Sequence, residues 1–438
     1  MTNSMGAASE SPQRTTLAAR FSALGHRNFR LFWTGQLISL VGTWMQSVAQ
    51  GWLMHRITHS AFWLGLLGFT QFFPVMLFSL WAGVIADRVN RRRLLLWTQS
   101  LFLLQAAALA LLATTGVLSP AHPERAWMLL ALAGFYGLVS ALDMPTRQSF
   151  IVELVGKEHL PNAIALNSSA FNTARIVGPA VAGVLLAVVG EGGCFWLNAL
   201  SYVAVIWSLT RIVLPSRESD LSGPQTRSTL MEGVRYAWTT RPIRNLLLLL
   251  GVTAGIGFQY QLLLPVYARD ILHAGPKTYG LLVTAFGAGA LLGALRLTGK
   301  QDRSKLRFNL LVGLGACGVG LAVFAWSRFL LLSLAAGALG GFGLIVYLAS
   351  TNTMLQLMIE DRFRGRVMSL YTLMFAGTAP IGALAAGALA QRFGAPFSTS
   401  CSAVLMLLGA LFVGRRLAAL ARLETGRVTE AAPTERLE

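Results

Sequence analysis

The sequence predicts an all-α polytopic membrane protein of twelve transmembrane helices in two pseudo-symmetric six-helix bundles. Three observations carry that expectation. Of 438 residues, 54% are hydrophobic and 12% charged, with a mean hydropathy of +0.58, whereas soluble domains carry about 25% charge. Apolar stretches of about 20 residues, enough to cross about 30 Å of hydrocarbon as helix, recur along the whole chain. One polar break, longer than any other inside the chain, divides them six and six.

Taken in order, residues 1–28 read as a tail with no apolar core, so not as a cleaved secretory signal. Spans follow at 29–51, 62–86, 94–116, 126–146, 165–189 and 193–213, giving an N-terminal bundle over 29–213. The break at 214–242 opens with Pro215, Ser216, Gly223 and Pro224, which read as linker. It continues with Leu230, Val234 and Trp238 four residues apart, which predicts an amphipathic helix lying on the membrane interface. Spans at 243–267, 278–298, 308–326, 328–350, 367–390 and 396–414 make a C-terminal bundle over 243–414, followed by a tail at 415–438.

The loops give the expected orientation. Of 36 Lys and Arg residues, 29 lie on the side of the termini, six on the other, and Arg175 falls within a span. Basic residues concentrate in cytoplasmic loops, so both termini are expected in the cytoplasm and the spans in the bacterial inner membrane. The same distribution accounts for the net charge of +18 without nucleic acid, since the basic clusters sit between apolar spans. The chain holds no G-x-x-x-x-G-K-[ST] loop, which excludes an ATP-driven pump. Its six histidines and three cysteines are scattered without metal-ligand spacing, which argues against an enzyme and predicts no metal or cofactor. A single chain of two halves offers no symmetric filter for a channel.

Between the second and third spans stands Gly83-Val-Ile-Ala-Asp87-Arg88-Val-Asn90-Arg91-Arg92-Arg93. It resembles the G-x-x-x-D-R-x-G-R-R loop of major facilitator transporters, with Asn90 in place of a glycine and tolerant of the positive φ that glycine would supply. Two further stretches, Asp143 to Phe150 with Glu153 to Ser168, and Arg364-Gly365-Arg366-Val-Met368-Ser369, resemble the enterobactin-exporter and macrolide-efflux branch. The resemblance covers nearly all of the chain apart from its tails. It implies alternating access, with Gly83, Asp87, Arg88, Arg91 and Arg92 at the cytoplasmic gate. Asp87 is then expected to dock on the start of the eleventh helix near Val367 to Leu370, and Arg91 to pair with Asp143. The competing reading is that these arginines fix topology and meet lipid phosphates. Gly178-Pro179-Ala-Val-Ala-Gly183 resembles the antiporter element G-P-x-x-G-G with altered spacing, and equally suits tight helix packing.

The first span carries Gln36, Ser39, Thr43, Gln46 and Gln50 at steps of three and four, hence on one helix face. Such a stripe would be costly against lipid. It is expected to line the central cavity, the alternative being hydrogen bonds between helices. Tyr260 and Gln261 in the seventh span are expected to join it. Arg175, placed in the cytoplasmic half of the bilayer, could bind substrate, gate, pair with Asp143 or snorkel to the interface. No carboxylate falls near the middle of any expected span. The overall expectation is a monomeric secondary transporter that exports a small drug-like or siderophore-like molecule by proton antiport. Uptake of a nutrient or flipping of a lysolipid is the alternative.

Overall fold

The computed structural model describes residues 22–156, 158–213, 227–297 and 303–430. The expectations for the first 21 residues, the opening of the linker and the last eight residues lie outside these. The described residues form helices joined by short turns, with no strand among them.

The first half comprises α1 (Arg27–Thr58), α2 (Ala61–Arg88), α3 (Arg91–Thr114), α4 (Ala126–Val155), α5 (Leu160–Val188) and α6 (Gly190–Arg211). The linker helix α7 spans Arg227–Thr239. The second half begins with α8 (Arg241–Ile271). It continues with α9 (Pro276–Arg296), α10 (Arg303–Trp326), α11 (Leu330–Met358), α12 (Arg364–Ala376), α13 (Ala379–Phe393) and α14 (Ala395–Glu430). Among the described residues, eleven segments are long and apolar enough to cross a membrane, with α12 and α13 counted together. The exception is α1, whose 32 residues include the glutamine stripe and His55.

Local chemistry sets several helix ends. Asn90 caps α3 by accepting a hydrogen bond from the Arg93 backbone N–H at 3.0 Å. Its φ is −59°, so it acts as a cap and not as the positive-φ turn residue expected in place of glycine. Gly156 closes α4 with φ of +70°, a conformation open to glycine without steric cost. Four helices run well past their expected ends, α1 to Thr58, α4 to Val155, α11 to Met358 and α14 to Glu430. For α4 the extension is anchored by Phe150, Ile151, Leu154 and Val155, which bury in one cluster with Phe29 and Phe32 of α1.

Helices α1 to α6 pack chiefly on one another, and α8 to α14 do the same. The two sets meet along α2 with α13 and along α5 with α9, while α8 touches α1 and α2. The outward faces are apolar, as along α3, where Trp97, Leu104 and Leu111 recur at seven-residue spacing and are exposed. That is the surface a helix presents to lipid. The linker helix docks through Tyr236, stacked on Phe363 with ring centroids 4.3 Å apart, and through Glu232, 3.1 Å from Arg366 of α12. Its residues Met231, Val234 and Trp238 stay exposed on the other face, as an interfacial helix requires. The side chain of Leu230 lies outside the described residues.

Candidate gates and substrate pathway

The two ends of the molecule differ. Call the end with the α1–α2 turn the hairpin side and the end with the α2–α3 turn the tail side. On the hairpin side the halves meet at backbone distance through glycines. A methyl carbon added at Gly65 of α2 would lie 2.6 Å from the Ala383 carbonyl oxygen and 2.9 Å from Gly387 Cα in α13. One added at Gly280 of α9 would lie 2.5 Å from Gly183 Cα and 2.8 Å from the Pro179 carbonyl oxygen in α5. Only residues without a side chain permit helices to approach so closely. On the tail side of the same α2 helix, a methyl at Gly83 would meet nothing within 4 Å. Among the described residues the halves thus touch at backbone distance on the hairpin side, and on the tail side the space beside Gly83 is open.

Polar and aromatic contacts reinforce the closed end. His55 Nε2 of α1 lies 2.8 Å from Asp270 Oδ2 of α8, and Ser60 Oγ donates to Gln391 Oε1 at 2.8 Å. Trp52 stacks on Tyr279 with centroids 6.1 Å apart. Sequence reasoning misses all of these residues. A signal is present: His55 and Asp270 stand at the same end of α1 and α8, the first helices of the two halves.

On the tail side the loop motif divides into distinct contacts. Arg91 pairs with Glu153, which corrects the expected pairing with Asp143. The physical reason is the length of α4, whose last turn reaches the α2–α3 turn and carries Glu153 there. Arg92 donates to the carbonyl oxygens of Leu209 at 2.7 Å and Thr210 at 2.9 Å. It caps the C-terminus of α6, where the exposed carbonyls and the helix dipole favour a cation. That contact lies within one half. Arg88 is exposed, and the side chain of Asp87 lies outside the described residues.

Asp143 sits well inside α4, buried, where it accepts hydrogen bonds from Thr98 Oγ1 at 2.8 Å and Gln99 Nε2 at 2.7 Å. Arg147, one turn along, is its ion-pair partner. The extended α4 therefore corrects one expectation and removes one of the alternatives left open for Arg175. A carboxylate does lie in the interior of a span, and Arg175 is not its partner.

The glutamine stripe of α1 is a further correction. Gln36, Ser39, Gln46 and Gln50 are buried within the first half instead of lining the central cavity. Gln46 Nε2 donates to Gln105 Oε1 of α3 at 3.1 Å, and its own Oε1 accepts from Asn198 Nδ2 of α6 at 2.7 Å. Thr43 shares a hydrogen bond with the Tyr202 hydroxyl at 3.2 Å. Packing of α1 against α6 turns this face inward, and the amides of Gln46, Gln105 and Asn198 satisfy one another, whereas Gln36 Oε1 and Gln50 Nε2 are buried without a hydrogen-bond partner. Gly178 likewise presses α5 onto α1, since a methyl there would lie 2.5 Å from Trp44 Cβ. Of that element, Pro179 and Gly183 reach the opposing half through Gly280.

What remains at the junction of the halves is Arg175 with Tyr260 and Gln261. Arg175 is near the midpoint of α5. Its backbone carbonyl would lie 3.4 Å from a methyl on Gly287 of α9. Tyr260 is buried and stacks on Phe286 with centroids 4.5 Å apart. Exposed Gln261 donates to the Tyr260 hydroxyl at 3.4 Å. Both stand in the short α-helical piece Tyr260–Val266, between π-helical turns at Thr253–Gly257 and Tyr267–Ile271. Such turns mark places where a helix gives up regular bonding, often at functional sites. Gly255 in the first turn packs on Thr378, at the break between α12 and α13.

The chain matches the transmembrane secretion effector family over residues 18–434. It is 26% identical to the staphyloferrin A transporter of Staphylococcus aureus, over 83% of this chain and 90% of that one. It is 26% identical to the multidrug efflux pump Tap of Mycolicibacterium fortuitum, over 85% and 91%. Identity to the enterobactin exporter EntS of Escherichia coli is 27%, over 89% and 91%. Among solved structures, a bacterial homologue of the lysosomal transporter Spinster superposes with a TM-score of 0.66 at 16% identity, covering 91% of this chain and 97% of that one. A bacterial homologue of ferroportin gives 0.66 at 17%, covering 89% and 98%. These likenesses establish the major-facilitator fold. The chain belongs to the transmembrane secretion effector family and is a multi-pass membrane transporter, not an enzyme.

Proposed function

We propose that the protein exports a small organic molecule, of the drug or siderophore kind its relatives carry, across the bacterial inner membrane by alternating access and proton antiport. The observation that carries this reading is the asymmetry of α2: glycine contact with α13 at Gly65, and open space around Gly83. A carrier caught with one gate shut has that asymmetry. The excess of basic residues beside the termini supports a cytoplasmic tail side, so the shape is that of a carrier awaiting cytoplasmic cargo. The protein acts as a monomer in this reading.

Proton coupling needs a titratable group away from bulk water. Asp143 supplies one, held by Thr98, Gln99 and Arg147 inside the first half.

The test is expression in an efflux-deficient bacterial host, with cellular retention of hydrophobic fluorescent compounds and secreted siderophore measured with and without a protonophore. Lower retention that the protonophore abolishes is expected. Unchanged retention across a broad panel overturns export, and loss of a compound despite the protonophore overturns antiport. Raised cell content of a nutrient analogue, or movement of a labelled lysolipid between leaflets, would favour the alternative activities.

A further inference from the structure

We propose that the cargo is an organic anion and that Arg175 binds its carboxylate at the blind end of the tail-side opening. The inference rests on the transporter reading above and narrows its substrate class.

Arg175 stands near the middle of α5, and it is the one basic residue the sequence places well inside a span. A guanidinium at that depth is costly unless paired. Among the described residues Arg175 has no ion-pair partner, and its Nε is buried without a hydrogen bond. Three other acids of the first half are engaged elsewhere: Asp143 with Arg147, Glu153 with Arg91, and Glu191 with Arg56 at 2.9 Å. An unpaired cation kept in the membrane interior is a site waiting for an anion.

Its surroundings suit a carboxylate. The guanidinium offers two parallel N–H donors to such a group, and a weakly polar environment strengthens the pair. Exposed Gln261 presents an amide across the junction, and Asn172 with exposed Ser168 lie about one and two turns nearer the tail side on α5. The position is also the right depth. Eight residues separate Arg175 from the Gly183 seal, about 12 Å of helix. An anion entering from the tail side would meet Arg175 where the halves close. It would join α5 of one half to the π-helical region of α8 in the other, so that occupancy acts on both moving parts.

The experiment follows thermal unfolding of the purified full-length protein in nanodiscs of zwitterionic lipid, which removes anionic headgroups as competitors. Probes are citrate and fluorescein as carboxylates, and ethidium as a cation, at matched ionic strength. Carboxylates are expected to raise the wild-type Tm by about 2 °C or more. Arg175→Gln should abolish that shift, Arg175→Lys should keep part of it, and ethidium should not produce it. Without ligand, Arg175→Gln should melt no lower than wild type, because it removes an unpaired charge. A structural ion pair would give the reverse, a drop of several degrees, and that result overturns the proposal. So does the absence of a shift with either carboxylate, or a shift that survives Arg175→Gln. Export of the same probes from cells is scored separately. Arg175-dependent binding without export would sink the export reading alone. Export of ethidium with no carboxylate binding would sink this inference alone.

Discussion

Replacing Gly280 by alanine tests whether the hairpin-side closure is a gate. The added methyl would lie 2.5 Å from Gly183 Cα, 2.8 Å from the Pro179 carbonyl oxygen and 2.9 Å from the Gly183 nitrogen. Unbonded carbons rest about 3.5–4.0 Å apart, so α5 and α9 must separate by roughly 1 Å. All three atoms are backbone, and no change of rotamer relieves the clash. Overpacking of this size costs about 1–3 kcal/mol. The cost falls on the state in which these helices touch, so the balance moves toward opening by the same amount. At 1.4 kcal/mol per factor of ten, that is about a 5- to 100-fold shift. A minor open state of about 1% would then rise to between a few per cent and a half. Spin labels at Ala121→Cys and Arg328→Cys, in exposed hairpin-side loops, with Cys194, Cys317 and Cys401 replaced, would report the change by electron–electron distance measurement. A longer-distance population should grow in Gly280→Ala. An unchanged distribution in folded protein would refute the gate.

Other substitutions separate the gate from the scaffold. His55→Ala removes the cross-half contact with Asp270 and should enlarge the same open population by a factor of a few, corresponding to about 1 kcal/mol for one hydrogen bond; no change would assign the pair to local order only. Arg92→Ala uncaps α6 and should cost about 1–3 kcal/mol of stability, lowering Tm while the remaining folded protein still transports. Gln46→Leu strands Gln105 and Asn198 and should destabilise by about 1–3 kcal/mol without altering substrate preference; a changed preference would return the stripe to the cavity. Asp87→Asn should abolish transport while leaving folded protein in the membrane, and normal transport would remove Asp87 from the gate.

Hydropathy and length find the helices from the sequence alone, because a backbone in hydrocarbon must satisfy its own hydrogen bonds. They misjudge the ends of α4 and α11, where the helix continues beyond its apolar run. That error carries over to the gate, since an α4 ending at 146 makes Asp143 look terminal and leaves Glu153 off the helix. Helical spacing correctly groups Gln36, Ser39, Thr43, Gln46 and Gln50 on a face. It does not say which neighbour that face meets, and the neighbours are α6 and α3. Arg175 can be singled out because an intramembrane charge is conspicuous in the letters alone. His55 and Asp270 cannot be paired in the same way, standing 215 positions apart in the chain.

The distribution of polar contacts bears on how such a carrier can move. Within the first half, Gln46 binds helices α1, α3 and α6 together, and Asp143 binds α3 to α4. Breaking these in the membrane would strand buried polar groups at about 1–3 kcal/mol each. Between the halves the described contacts include glycine against backbone, the Trp52–Tyr279 stack, and the polar pairs His55–Asp270 and Ser60–Gln391 at the hairpin-side end. Parting there strands little, because water can replace both polar pairs as the end opens. Strong internal bonds and a weakly bonded junction make motion of one half against the other less costly than deformation of either. Arg175 lies at that junction with no ion-pair partner among the described residues, so an anion bound there would act on the interface whose rearrangement is inexpensive.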